Sequence, residues 1–400
     1  MFPFQFRFWP LPPAAALVWA LASCSIPQVD PADPARTLAV GARSGTNQIW
    51  PQRPQPTFPP FEVKRGEPPV DQGVFKNCRV FKAGDLKDGV ALFLAGRRWD
   101  PIADQDEPFE LTVVGRGMTH EIKLLTKEHR ITLAVARAAK TEKPRGLVLY
   151  LASIMLISDE EKSFIRSLQA RGWNVAAITP SIDIFTKDRW PLAWKEDELG
   201  KQATFLAREI DNYLAETTYA AESVLAYLQE KHPQWTKGSR VVIGASAGAL
   251  AAPALIKRIG GVDAAVFIGG GAHIPEILLE SQIDIYHPEI AIEGRDKLGG
   301  AERRQKQLAV RSKFKQLALY QTRLDPLHLA PSLRPTPTLM LTGQFDRIVP
   351  AHTGDYLYNA LGKPERWRFP TGHVLLFLSL PLQGNRVADW LDAHTAAASR

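Results

Sequence analysis

Between Gly89 and Ala136 the apolar residues fall in short runs at 90–94, 109–114, 122–125 and 131–135, rich in β-formers and separated by charged or Gly-containing turns. Runs of that length predict consecutive short strands, paired as hairpins. After Pro144 the rhythm changes to apolar runs at 147–151, 175–178, 241–243, 264–268, 338–341 and 367–369, with longer segments of helical period between them. Strands without a polar face, alternating with helices, predict a mostly parallel sheet covered by helices. The clearest helical stripe sets Ile210, Leu214, Thr217, Ala221, Val224, Leu225 and Leu228 at spacings of three and four, and His232-Pro233 ends it.

From Gly269 to Pro335 an insertion interrupts the strand rhythm, with helical stretches at 274–283 and 301–320. Insertions that long are more often functional than idle, so a helical cap is expected at about 270–335. Gly269-Gly270-Gly271-Ala272-His273 lacks the spaced glycines and the Lys-Ser/Thr pair of phosphate-binding loops. It is expected to be a flexible entrance to the cap, with His273 a candidate for the pocket wall. Arg303, Arg304, Lys306, Arg311, Lys313 and Lys315 make the cap basic. They read as a solvated helix face or, alternatively, as a contact for anionic lipid headgroups. Trp190 and Trp194, in a long loop, could line an acyl pocket or fill a gap.

Upstream of the strands, Pro27, Pro31, Pro34, Pro51, Pro54, Pro56, Pro59, Pro60, Pro68 and Pro69 punctuate a segment with no sustained period. Proline removes amide donors that a helix or central strand needs. Residues 24–85 therefore read as an extended tether, semi-rigid where prolines cluster. Ahead of it, Arg7 is the only charged side chain before an apolar stretch at 11–22 and the sequence Leu21-Ala22-Ser23-Cys24. That stretch falls short of the roughly 20 residues that span a bilayer as a helix, which argues against a permanent transmembrane segment.

These N-terminal residues resemble a bacterial lipoprotein signal peptide, in which a Leu, two small residues and a Cys precede lipidation. The resemblance implies a signal at 1–23 and a lipid anchor on Cys24. It also implies residence in the cell envelope, with Ser25 favouring the outer membrane, facing the periplasm. An ordinary cleaved signal with a chance Cys is the alternative. Lipidation of Cys24 would leave Cys78, the other of the two cysteines, without an intramolecular partner, so no disulfide is expected.

Composition excludes several classes. With 45% hydrophobic and 23% charged residues over 400 positions, the chain has the balance of a folded soluble protein, not of a disordered, collagen-like or coiled-coil one. The formal charge of +7 is a small excess spread over 49 basic and 42 acidic residues, and nothing resembles a nucleic-acid motif. None of the nine His stands at a zinc-site spacing from carboxylates or Cys, so neither a metal nor a cofactor is expected.

The chemistry concentrates in Val241-Val242-Ile243-Gly244-Ala245-Ser246-Ala247-Gly248-Ala249-Leu250, where a predicted strand runs through G-x-S-x-G into a helical pattern. A Ser exposed at so sharp a turn needs neighbours with little or no side chain, and Gly244, Ala245, Ala247 and Gly248 supply them. The helix that follows points its amides and positive dipole end toward developing negative charge. Asp346 stands just past the run at 338–341, and His373 just past the run at 367–369. Ligand sites of parallel sheets gather at those ends. Asp263 precedes its strand and so belongs to the opposite edge, while His352 is the rival nearest in sequence to the acid.

The region at about 143–394 thus resembles the α/β-hydrolase fold serine hydrolases. The fold implied is a mostly parallel sheet flanked by helices, with N-terminal antiparallel strands and a helical cap insertion, over 86–400. The family implies Ser246 as nucleophile, His373 as general base and acid, and Asp346 as the carboxylate orienting the imidazole. A Ser hydroxyl needs such a base near neutral pH, and imidazole suits the task. The family also implies an oxyanion hole from the amide of Ala247 and one from the loop after 147–151. That loop reads Ala152-Ser153 where many members carry His-Gly, and Ser153 is the carried-over donor. The implied reaction is hydrolysis of a carboxylic ester, or less readily an amide or thioester, with a small-molecule or lipid ester as substrate. A non-catalytic envelope binding protein and an acyltransferase using the same residues are the alternatives.

Overall fold

A computed structural model describes residues 78–97, 108–115, 118–125, 129–154, 157–179, 193–195, 198–282, 289–291 and 298–395. All belong to the second of two units into which the chain divides, Met1–Gln52 and Arg53–Arg400. The signal at 1–23, Cys24, the tether up to residue 77 and Trp190 lie outside the described residues.

The chain opens with a meander, β1 (Cys78–Leu86), β2 (Gly89–Arg97), the separate hairpin β3 (Pro108–Gly115) and β4 (Met118–Leu125), and β5 (His129–Arg137). It continues with β6 (Gly146–Leu151), α1 (Asp159–Ala170), β7 (Trp173–Ile178), β8 (Ala193–Lys195), α2 (Leu199–Lys231), β9 (Ser239–Ala245), α3 (Ala247–Ile259) and β10 (Ala264–Ile268). Next come α4 (Ile274–Glu280), β11 (Glu289–Ala291), α5 (Gly300–Gln321), α6 (Pro326–Leu329), β12 (Thr338–Gly343) and α7 (Ala351–Ala360). The chain closes with β13 (Glu365–Phe369), α8 (His373–Leu378) and α9 (Leu380–Thr395).

Nine strands form one sheet in the order β1-β2-β5-β7-β6-β9-β10-β12-β13. From β7 to β13 every neighbouring pair is parallel, whereas β1, β2 and β5 join antiparallel. The expected α/β-hydrolase architecture is the one the chain adopts. Its six parallel runs follow from composition: β6, β7, β10 and β12 are buried at every position because helices cover both faces. On one face Phe164, Ile165 and Leu168 of α1 and Val387, Trp390 and Leu391 of α9 pack against Val148, Val175, Val241 and Val266.

Two expectations are corrected. Strand β1 (Cys78–Leu86) takes in residues 78–85, the end of the expected tether, because they pair with β2 across the turn Lys87-Asp88. The glycine run after β10 is close packing and no hinge. A Cβ on Gly270 would meet Ala249 Cβ at 2.6 Å, and one on Gly271 would meet Thr353 Oγ1 at 2.4 Å.

The insertion carries α4, α5 and α6, and α5 packs along α2 and α4. Besides this apolar packing, two buried carboxylates tie it to the rest. Asp211 of α2 accepts from the amides of Arg323 and Leu324 at 2.9 Å. Asp325, fully buried, accepts from the amides of His273 at 3.0 Å, Ile274 at 2.6 Å and Leu327 at 2.8 Å. Within this segment β11 pairs in parallel with β8, which contains Trp194.

Candidate active site

The order of strands reverses between β6 and β9: the chain leaves β6 for β7 on one side and later returns to β9 on the other. Such a reversal opens a crevice at the carboxyl ends of the two strands. Ser246 follows β9 there, in a conformation of φ 50° and ψ −114° that L-residues rarely adopt. Backbone strain of this kind costs of order 1–3 kcal/mol and persists where the surroundings fix it. Here the Ser246 amide donates to Ile268 O at 2.8 Å, and its carbonyl accepts from the Ala249 amide at 2.9 Å. Small neighbours make the turn possible. A Cβ on Gly244 would lie 2.6 Å from Ala249 Cα, and one on Gly248 would lie 2.1 Å from Leu151 O. The second contact shows how closely the start of α3 approaches the end of β6. Tyr213 of α2 supports the turn from behind, its hydroxyl donating to Ala247 O at 3.3 Å.

Asp346 and His373 are brought to the same place by interlocked loops. The Gln344 amide donates to Phe369 O at 2.8 Å and the Phe345 amide to Thr371 O at 3.0 Å, which ties the segment after β12 to the segment after β13. Asp346, buried, accepts on Oδ1 from the amides of Ile348 and Val349, both at 2.9 Å. Its Oδ2 lies 2.6 Å from His373 Nδ1, and His373 Nε2 lies 3.0 Å from Ser246 Oγ. A carboxylate only accepts, so Nδ1 carries the hydrogen and Nε2 offers its lone pair to the serine hydroxyl. Phe377 stacks on the imidazole, ring centroids 4.9 Å apart, and Gly269 at φ +58° passes the ring's other atoms without a side chain.

The rival residues are placed elsewhere. Asp263 accepts from the Arg240 amide at 2.7 Å beside the start of β9, at the opposite edge of the sheet. His352 lies 3.2 Å from Glu276 Oε1 and 3.5 Å from Glu280 Oε2. His273, buried and at φ 67°, caps α4 by accepting from the Glu276 amide at 3.3 Å. Sequence spacing offered no metal site, yet the fold gathers Glu276, Glu280 and His352 with one ligand atom each within 4.8 Å of one another. Lys315 already neutralises that group, pairing with Glu280 and, at 3.2 Å, with Glu276. Burial raises the carboxyl pKa of Glu276, but the His352 hydrogen bond and the charge of Lys315 outweigh it and hold the group at about 2. Of the six basic cap residues, Arg311 donates to Leu279 O at 2.6 Å and Arg303 to Leu298 O at 3.3 Å. With Lys315 they serve packing within the insertion, whereas Arg304 and Lys313 are exposed.

At the oxyanion position the structure departs from expectation. Ala247, the first expected donor, begins α3. Ser153 is committed elsewhere: its amide donates to Glu161 Oε1 at 3.0 Å and its hydroxyl to Oε2 at 2.8 Å. Sequence reasoning missed Glu161, although the Ser158-x-x-Glu161 spacing ahead of an apolar helix face is a capping-box signal.

A scan against protein-family models finds no match, and a search of curated proteins returns no relative. Among solved structures the chain is similar to esterases. One, from Pyrococcus furiosus, is 14% identical over 75% of this chain and 97% of its own, with a TM-score of 0.41. A PEG-bound cold-adapted esterase from an Arctic intertidal metagenomic library is 12% identical over 78% and 97%, at 0.42. The esterase domain of a Rhodothermus marinus protein is 14% identical over 72% and 99%, at 0.40. Likeness at this level speaks to neither substrate nor residue roles in this chain.

Proposed function

We propose that the protein is a serine hydrolase that cleaves a carboxylic ester through an acyl-enzyme on Ser246. The observation that carries the reading is the bonded chain from Ser246 Oγ through His373 to Asp346, at 3.0 and 2.6 Å, beside the amides that open α3. His373 Nε2 takes the hydroxyl proton as Oγ attacks the ester carbonyl, and the tetrahedral oxyanion forms against the Ala247 amide. The same imidazole returns the proton to the leaving alcohol, then draws a proton from water for deacylation. Asp346, anchored by two backbone amides, fixes the tautomer throughout.

Ser246→Ala is expected to abolish turnover of a p-nitrophenyl ester and labelling by a fluorophosphonate, with an unchanged unfolding transition. Appreciable residual turnover in that variant sinks the assignment. Absence of labelling in folded wild type would move the weight to a non-catalytic binding protein, and transfer products exceeding hydrolysis when an alcohol acceptor is supplied would favour an acyltransferase. At the N-terminus the proposal is a lipid anchor on Cys24, supported by the Leu21-Ala22-Ser23-Cys24 sequence. Cells fed an alkyne-bearing fatty acid should label the wild-type chain and not Cys24→Ser; equal labelling of both contradicts the anchor.

A further inference from the structure

The carboxyl of Glu161 is fully buried, and no lysine or arginine pairs with it among the described residues. Four donors converge on it instead, two to each oxygen. Oε1 accepts from the Tyr150 hydroxyl and the Ser153 amide, both at 3.0 Å. Oε2 accepts from the Ser153 hydroxyl at 2.8 Å and the Ser158 amide at 3.0 Å. Burial, and then the nearby Glu161 charge and their hydrogen bond, push the Tyr150 hydroxyl well above its usual pKa, so it stays a donor. A buried carboxyl is costly without such partners. The partners are drawn from the end of β6, the residues after it and the N-cap of α1. Glu161 therefore ties the residues just after β6 to the N-cap of α1.

Hydrogen-bond bookkeeping shows what that tie leaves over. Backbone amides shielded from water are nearly always paired, and the residues after β6, buried at Ala152 and Ser153 and half-buried at Ile154, can be followed one amide at a time. The Ala152 amide donates to Ile178 O at 2.9 Å, and the Ser153 amide to Glu161. Ile154 supplies the next amide, and no bond from it occurs among the described residues. The start of α3 lies against the two residues just before Ser153 and Ile154, since a Cβ on Gly248 would stand 2.1 Å from Leu151 O and 2.6 Å from Ala152 O.

We propose that Glu161 is a positioning residue for the oxyanion hole: by holding Ser153 and Ser158 it presents the Ile154 amide as the second donor beside Ala247. The inference rests on the acyl-enzyme reading above and names the donor that the reading lacks. It also explains how Ala152-Ser153 can replace His-Gly: the loop is fixed from behind by a carboxyl.

The test compares full-length wild type with Glu161→Ala, Glu161→Gln and Leu168→Ala, each assayed on a p-nitrophenyl ester below its own unfolding transition. Leu168 is a fully buried residue of the same helix, about two turns beyond Glu161, so its truncation destabilises α1 while leaving the four donors to Glu161 in place. Loss of one oxyanion donor costs about 10²- to 10³-fold in kcat. Glu161→Ala should show a fall of that size with KM little changed, since an oxyanion donor acts in the transition state and not in ground-state binding. Leu168→Ala should lower Tm and keep kcat within about twofold, since stability alone does not remove a donor. An amide at 161 can still accept from Tyr150 and Ser153 but opposes the Ser158 amide, so Glu161→Gln should recover part of the loss while retaining the helix cap.

Replacing the Ile154 N–H by an ester oxygen, through the α-hydroxy analogue of isoleucine, should lower kcat by the same factor as Glu161→Ala. Unchanged kcat in Glu161→Ala and Glu161→Gln, or in the Ile154 ester, overturns the proposal, as does an equal kcat loss in Leu168→Ala. Fluorophosphonate labelling of wild type against Ser246→Ala reports on the acyl-enzyme reading alone, so the two can fail separately.

Discussion

At the scale of single residues the site is built as much from missing side chains as from present ones. Gly269 adopts φ +58°, and a Cβ there would stand 3.1 Å from both His373 Cε1 and Phe377 Cε2. Alanine at that position carries two penalties. A positive φ with a Cβ costs about 1 kcal/mol in stability, and the imidazole must shift by a few tenths of an ångström away from its new neighbour. Shifts of that order at a proton-transfer group cost more in rate than in folding. Gly269→Ala should therefore lower kcat about tenfold or more while costing only about 1–2 kcal/mol in urea unfolding. Wild-type kcat would show that the ring has room to spare. Gly248 stands in contrast, since its Cβ would lie 2.1 Å from the immobile carbonyl of Leu151.

At the scale of elements, what could be read in advance was what depends on local periodicity and punctuation. Every apolar run at 147–151, 175–178, 241–243, 264–268, 338–341 and 367–369 lies within a sheet strand; for the first five, burial on both faces leaves a continuous apolar signature, whereas the last lies on the half-exposed β13. Ser246, Asp346 and His373 could be located because each follows a strand, and strand ends converge in a parallel sheet. Features decided by tertiary contact were hidden. The run at Gly269 to Gly271 has the composition of a hinge, and only its neighbours Ala249 and Thr353 reveal close packing. Ser153 looked like a donor from its place after β6, but the destination of its amide is set by Glu161, eight residues on. Strand β1 was assigned to the tether because its pairing partner β2, not its composition, fixes where it starts.

At the scale of the whole molecule, the insertion is bolted to the sheet domain through carboxylates whose responses to pH differ in sign. Glu276 of α4 joins Lys315 of α5 and His352 of α7, and these partners hold its carboxyl at about 2 against an ordinary 4.5. A carboxyl lowered on folding stabilises the folded chain above its unfolded pKa, and that contribution fades as pH falls from about 4.5 toward 2. Asp211 of α2 behaves oppositely. Burial raises it from 3.8 to about 6, against the lowering effect of the Leu324 and Arg323 amides. A carboxyl raised on folding favours the native state while protonated, so its ionisation costs stability as pH climbs from about 4 through 6. The difference of roughly two pKa units corresponds to about 3 kcal/mol. Asparagine at 211 keeps an oxygen for the Leu324 amide and removes the charge. Urea unfolding at pH 4.5 and pH 7.5 should show wild type losing up to about 2 kcal/mol more than Asp211→Asn over that interval, the remainder falling below pH 4.5. Parallel losses in the two proteins would mean that Asp211 ionises without cost and that the amides of Arg323 and Leu324, with the Arg323 guanidinium 3.6 Å away, fully offset its burial.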